Sequence, residues 1–230
     1  PRPAIKEAPS LVFSMTSRSV ALPACVRFRW GRETMRYAIY YAPTPGTGLH
    51  RRGSAWLGRD AHTGELLAQP DLEGLSRLAA DARRYGFHAT LKAPFQLREG
   101  IPPEALMRAC AALAADATAF HVKLEAALMD GFVALVPAAD PGRLHDLAAR
   151  CVRELDDFRS PPAEQELARR RKVPLTGRQD ANLLRWGYPY VLEDFRFHIT
   201  LTGRLEPGES ESILRAAQAW FHDEIAGQIM

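Results

Sequence analysis

Between Arg36 and Ala42 the chain reads RYAIYYA, an aromatic and β-branched run that predicts a strand. A Gly- and Pro-rich stretch, APTPGTGLHRRGSAWLGRD, follows and predicts loop, and helical periodicity then returns over about Gln69 to Arg84. GFHATLKAPF, Gly86 to Phe95, alternates apolar and polar residues and predicts a strand ending near Ala93, before Pro94. PPEALMRACAALAADA carries prolines at its head and strong helix formers after them, which predicts a helix. AFHVKLEAALMDGFVALVP predicts a hairpin turning at Asp130-Gly131. A helix over PGRLHDLAARCVRELDDF, a strand over FRFHITLTGRL (Phe195 to Leu205) and a helix from Ser210 to His222 complete the pattern. Strands, helices and a local hairpin in this order predict an α+β fold.

Two of the strands share a device. Phe-His-x-Thr-Leu occurs at Phe87–Leu91 and again at Phe197–Leu201. Residues two apart in a strand share a face. His88 and Thr90 therefore point one way, with Lys92 extending the row, while Phe87, Ala89 and Leu91 point the other. In the second copy His198, Thr200, Thr202 and Arg204 form the polar row, and Phe197, Ile199, Leu201 and Leu205 the apolar one. His121, Lys123 and Glu125 alternate in the same manner and are candidates to join the polar face.

An imidazole titrates near neutral pH, so a pair can supply one acid and one base. Threonine hydroxyls beside them can hold the oxygens of an anion. Two His/Thr pairs facing one cleft suit a phosphodiester, with electrostatic stabilisation from hydroxyls and a protonated ring and no metal or cofactor required. HExxH and Cys/His ligand spacings are absent from the sequence, so no metal site is expected. A single His-x-Thr means little; two copies sharing the flanking Phe and Leu mean more.

Composition narrows the setting. The 47% apolar and 25% charged residues are those of an ordinary globular chain, and no run is long enough to span a bilayer. A net charge of +3 suits a small anion and is too slight for a nucleic-acid coat, so nucleic acid is the weaker alternative partner. Cys25, Cys110 and Cys151 lack CxxC spacing and read as thiols of a reducing compartment, which predicts a cytoplasmic location. Residues 1–34 mix Pro, Ser and Arg without period and read as a disordered leader or over-long start. Residues 35–230 read as one domain. Its second half ends at Met230 without the hairpin that follows the first copy, so it is either truncated or completed by strands from elsewhere. Arg169-Arg170-Arg171-Lys172 reads most simply as a solvated helix end, with an anion-binding patch as the alternative. Trp186, Tyr188 and Tyr190 are candidates to wall a sugar or base pocket.

The paired motifs resemble the two-histidine (2H) phosphoesterase superfamily, which includes RNA ligase-like cyclic phosphodiesterases. RYAIYYAP, YGFHATLKAPF and WGYPYVLEDFRFHITLTGRL are similar to a bacterial branch associated with phosphonate-degradation operons. The resemblance implies a bilobal fold, two antiparallel-sheet lobes with outer helices around a central cleft. It also implies a metal-independent hydrolase opening a small cyclic phosphodiester such as 5-phosphoribosyl 1,2-cyclic phosphate. His88 and His198 match the catalytic residues, and Thr90 and Thr200 the phosphate-binding hydroxyls. Lys92, Arg204, Thr202 and Tyr188 are expected to contact substrate, and Arg36 is a further candidate for a second phosphate. An RNA 2′,3′-cyclic phosphodiesterase and a non-catalytic phosphosugar- or nucleotide-binding module are the alternatives.

Overall fold

The computed structural model describes residues 24–30, 34–206, 208–225 and 228–229. Their centre is an open antiparallel sheet of six strands in the order β1-β2-β3-β7-β6-β5. The strands are β1 (Ala24–Trp30), β2 (Thr34–Tyr41), β3 (Ala89–Phe95), β5 (Leu124–Met129), β6 (Phe132–Pro137) and β7 (Ile199–Thr200). Two short strands, β4 (His121–Val122) and β8 (Gln228–Ile229), form a separate pair. The leader expected over residues 1–34 lies largely outside the described residues; the parts described are Ala24–Trp30, which is β1 and pairs antiparallel with β2, and Thr34, which begins β2.

β3 and β7, the strands of the two motif copies, are direct neighbours, with Ala89 opposite Ile199. The expected pair of sheets is thus a single continuous one in these residues. β7 is bordered on its far side by β6, whose hairpin with β5 follows the first copy in sequence. The hairpin turns as expected: Met129 pairs with Phe132, and Asp130 and Gly131 both take positive φ, as a two-residue loop between twisted strands requires.

Helices α1 (Gly48–Leu57), α2 (Leu75–Leu78), α3 (Ala80–Tyr85), α4 (Pro103–Asp116), α5 (Gly142–Glu154), α6 (Glu164–Arg170), α7 (Gly177–Trp186) and α8 (Ser210–Phe221) surround the sheet. α5 packs on β3, and α8 on β5 and β6. The apolar row of each motif faces this layer: Phe87, Ala89, Leu91, Phe197, Ile199 and Leu201 are all buried. Each fully buried large apolar side chain contributes about 1.5–3 kcal/mol, so both motifs are anchored from behind. Phe87 stacks on Phe221, which also meets the buried Trp56.

α1 occupies the stretch expected to be loop. Thr47 caps it by accepting from the His50 amide, and Leu49, Trp56 and Leu57 bury one stripe. Its glycines concealed it, and Gly53 has a specific reason to be there. A Cβ at Gly53 would sit 2.3 Å from the Phe87 ring, so only glycine lets α1 approach the residue preceding His88. Trp56 Nε1 then donates to the Leu201 carbonyl (3.1 Å), tying the same helix to the second motif. The single helix expected over Gln69–Arg84 is two short ones divided at Ala79. Among the described residues no helix is long and apolar enough to cross a membrane.

Candidate phosphate-binding cleft

The pairing of Ala89 with Ile199 sets the geometry of the site. Carried one residue to either side, that register sets His88 across from Thr200 and Thr90 across from His198. The four polar side chains share the face opposite the buried Ala89 and Ile199. Directly opposite residues in an antiparallel pair lie about 5 Å apart at Cβ, and diagonal ones roughly 7–8 Å. Both hydroxyls and both rings thus frame a space of phosphate size. All four line one cavity of about 760 Å³.

The rings are held alike. His88 Nδ1 lies 2.9 Å from the Gly86 carbonyl, and His198 Nδ1 lies 2.8 Å from the Arg196 carbonyl. A carbonyl only accepts, so each Nδ1 carries the proton and each Nε2 is left for a ligand. Nε2 accepts while the ring is neutral and donates once it is charged. Tyr40 packs against His88 with ring centroids 3.9 Å apart, and Phe132 stands beside His198 at 5.8 Å. Burial pushes His88 down to about 4, opposed by its carbonyl partner and reinforced by nearby His198. Burial also lowers His198, where the Arg196 charge adds and the Arg196 carbonyl and Asp130 oppose. Both shifts favour the neutral imidazole at neutral pH.

Tyr188 and Arg204 line the same cavity. One expected contact is corrected. Lys92 was to continue the row of His88 and Thr90, yet it is buried on the other side, its Nζ donating to Val152 O (2.8 Å) and Asp156 Oδ1 (3.3 Å). The cause is register: Tyr40 pairs with Thr90 but Ile39 pairs with Lys92, so β3 carries an extra residue that reverses the alternation. Burial brings the Lys92 ammonium down to about 8 against the opposing pull of Asp156. Thr202 reaches the cavity wall but is fully buried, and its hydroxyl accepts from the Val133 amide (2.9 Å). The amides of Leu201 and Thr202 both donate to Val133 O, at 2.9 and 3.2 Å, a second bulge just after the second motif. His121, Lys123 and Glu125 are not among the cavity's walls; His121 pairs with Ile229 in the small sheet.

Other walls were not expected. Tyr40, Tyr85 and the β5–β6 turn enclose the imidazoles. Arg169 and Arg170, from the run read as a solvated helix end or else an anion-binding patch, line the cavity with Arg36. Nothing local marks these two among four consecutive basic residues; the turn of α6 toward β2 selects them. Arg171 does match the solvated reading, pairing with Asp180 at the surface.

Comparison with known proteins bears on the chemistry. A family model described as "Protein of unknown function (DUF1045)" matches residues 90–229. A protein of Janthinobacterium sp. (strain Marseille), named ribose 1,5-bisphosphate phosphokinase PhnN, is 43% identical over 210 residues, covering 86% of this chain and 46% of that protein. A protein of the same name from Laribacter hongkongensis (strain HLHK9) is 39% identical over 191 residues, covering 81% of this chain and 44% of that protein. The chain thus spans about half the length of these relatives. No solved structure matches. These names overturn the expected hydrolase: a phosphokinase transfers a phosphoryl group and does not open a cyclic diester with water. The RNA cyclic phosphodiesterase alternative falls with it.

Proposed function

We propose a function from one premise: the chain belongs to the DUF1045 family. We infer that its cleft is a binding site for a phosphorylated ribose, ribose 1,5-bisphosphate being the first ligand to test. One phosphate sits between His88 and His198, with the Thr90 and Thr200 hydroxyls donating to its oxygens. The observation that carries this is the opposition of Ala89 and Ile199, which sets two imidazoles and two hydroxyls around one phosphate-sized space. The two-histidine arrangement of the resembling superfamily is the finer structural reading that this symmetry supports.

A phosphokinase acting on ribose 1,5-bisphosphate needs a phosphosugar acceptor and a nucleotide donor. The chain has no GxxxxGK[ST] loop to cradle a nucleotide's phosphates, so the acceptor is the part assigned to it. The Phn names of the relatives fit the phosphonate-degradation setting. Within the cleft, an arriving phosphate draws a proton onto an Nε2 and converts a neutral ring into a cationic donor. The shared proton then orients the phosphate and offsets its charge.

Calorimetric titration of purified protein with ribose 1,5-bisphosphate tests this. Wild type binds one equivalent with proton uptake, and His88→Gln or His198→Gln each weakens binding on the order of 100-fold. Because both rings hold one phosphate, the double variant loses little more than either single one. Affinity unaffected by both substitutions contradicts the reading.

A further inference from the structure

Three guanidinium groups gather at α6 and β2 around a single carboxylate. Arg36 donates both Nη groups to Glu166, each at 2.8 Å, and Arg169 and Arg170 approach Glu166 at 3.4 and 3.9 Å. The carboxylates that line the cavity among the described residues, Asp81, Asp130 and Asp194, are paired elsewhere, with Arg84, Arg196 and Arg178. Arg36 Nε and Arg170 Nε are buried and have no hydrogen-bond partner among the described residues. A buried charged donor left unmatched is costly, and both residues line the cleft that holds His88 and His198. Arg170 is further fixed by lying over the Tyr188 ring at 4.7 Å.

The position is separate from the His/Thr site. Tyr40 pairs with Thr90, and Arg36 stands four residues earlier on β2, a distance of about 13 Å along a strand. One phosphoryl group does not fill both places, whereas a sugar with a phosphate at each end suits them. The planar fork of arginine favours such an oxyanion.

We propose that Arg36 and Arg170 form a second anion subsite of this cleft, which takes the distal phosphate monoester of a sugar bisphosphate whose first phosphate lies between the imidazoles. This rests on the phosphorylated-ribose reading and adds a prediction of its own. The subsite makes the cleft select two phosphates over one.

The test is calorimetric affinity for ribose 1,5-bisphosphate and for ribose 5-phosphate in wild type, Arg170→Gln, Arg170→Lys and His88→Gln, with thermal melts to verify folding. Wild type prefers the bisphosphate by at least about 10-fold. Arg170→Gln removes most of that preference, lowering bisphosphate affinity on the order of 10- to 100-fold, and Arg170→Lys restores part of it. His88→Gln weakens both ligands. A preference unchanged in Arg170→Gln, alongside losses in His88→Gln, overturns the subsite and leaves the ribose reading standing. Failure of wild type to bind either ligand overturns both.

Discussion

The two copies of Phe-His-x-Thr-Leu agree up to the threonine and part company after it. In each, Nδ1 of the histidine meets the carbonyl two residues back, the threonine stays in the cleft, and the intervening residue is buried. In each, a bulge follows, and the side chain four residues after the histidine bonds to the protein's own backbone. The first copy withdraws a charge, Lys92, from the cleft, where Asp156 matches it behind the sheet. The second keeps a hydroxyl, Thr202, at the cavity wall, where it accepts from the Val133 amide. The proposed anion site thus draws on the shared half of the motif, and the divergent half bonds to the fold.

That contrast sets the size of the effects. Asp156→Ala leaves Lys92 and Arg159 with unbalanced charge behind β3 and is expected to cost about 3–5 kcal/mol in urea unfolding. Ligand affinity in the folded fraction should hold, and selective loss of binding with normal stability would return Lys92 to the cleft.

Acid sharpens the difference between the rings themselves. His88 is depressed in the fold to about 4, below the usual value near 6.5. Between those values the unfolded chain binds a proton that the folded chain refuses, so stability present above pH 6.5 drains away as the pH falls toward 4. Allowing for the ring's opening onto the cleft, the loss is roughly 1–2 kcal/mol. Denaturation midpoints measured across this range should flatten in His88→Gln; an unaltered slope would assign the effect to other groups.

Thr202→Val is the smallest change. It strips the acceptor from the Val133 amide while keeping the shape, at an expected cost of about 1–2 kcal/mol and with affinity retained. A loss of affinity larger than the loss of stability would mean that the second copy uses this hydroxyl on its ligand.

What was legible in the sequence follows the same division. The faces of both motifs, the Asp130-Gly131 turn and helices α4 and α8 are written in local signals, and they stand as expected. Lys92 was misplaced because a bulge is a property of two strands in register, and alternation within one strand carries no trace of it. α1 was hidden by glycines, one of which is there for the Phe87 ring. Arg170 became a cleft residue only through the docking of α6, which no spacing announces. The phosphodiester reading came from the chemistry of the His/Thr pairs and from resemblance to a superfamily, and the kinase names of the relatives overturn it.

The most direct measurement is a titration of ¹⁵N-histidine-labelled protein with ribose 1,5-bisphosphate, following the ring nitrogens by NMR. If one phosphate lies between the two imidazoles, Nε2 of His88 and Nε2 of His198 move together, saturate at one equivalent, and shift toward the protonated form. Movement of only one ring, or two isotherms with different midpoints, would contradict a shared site.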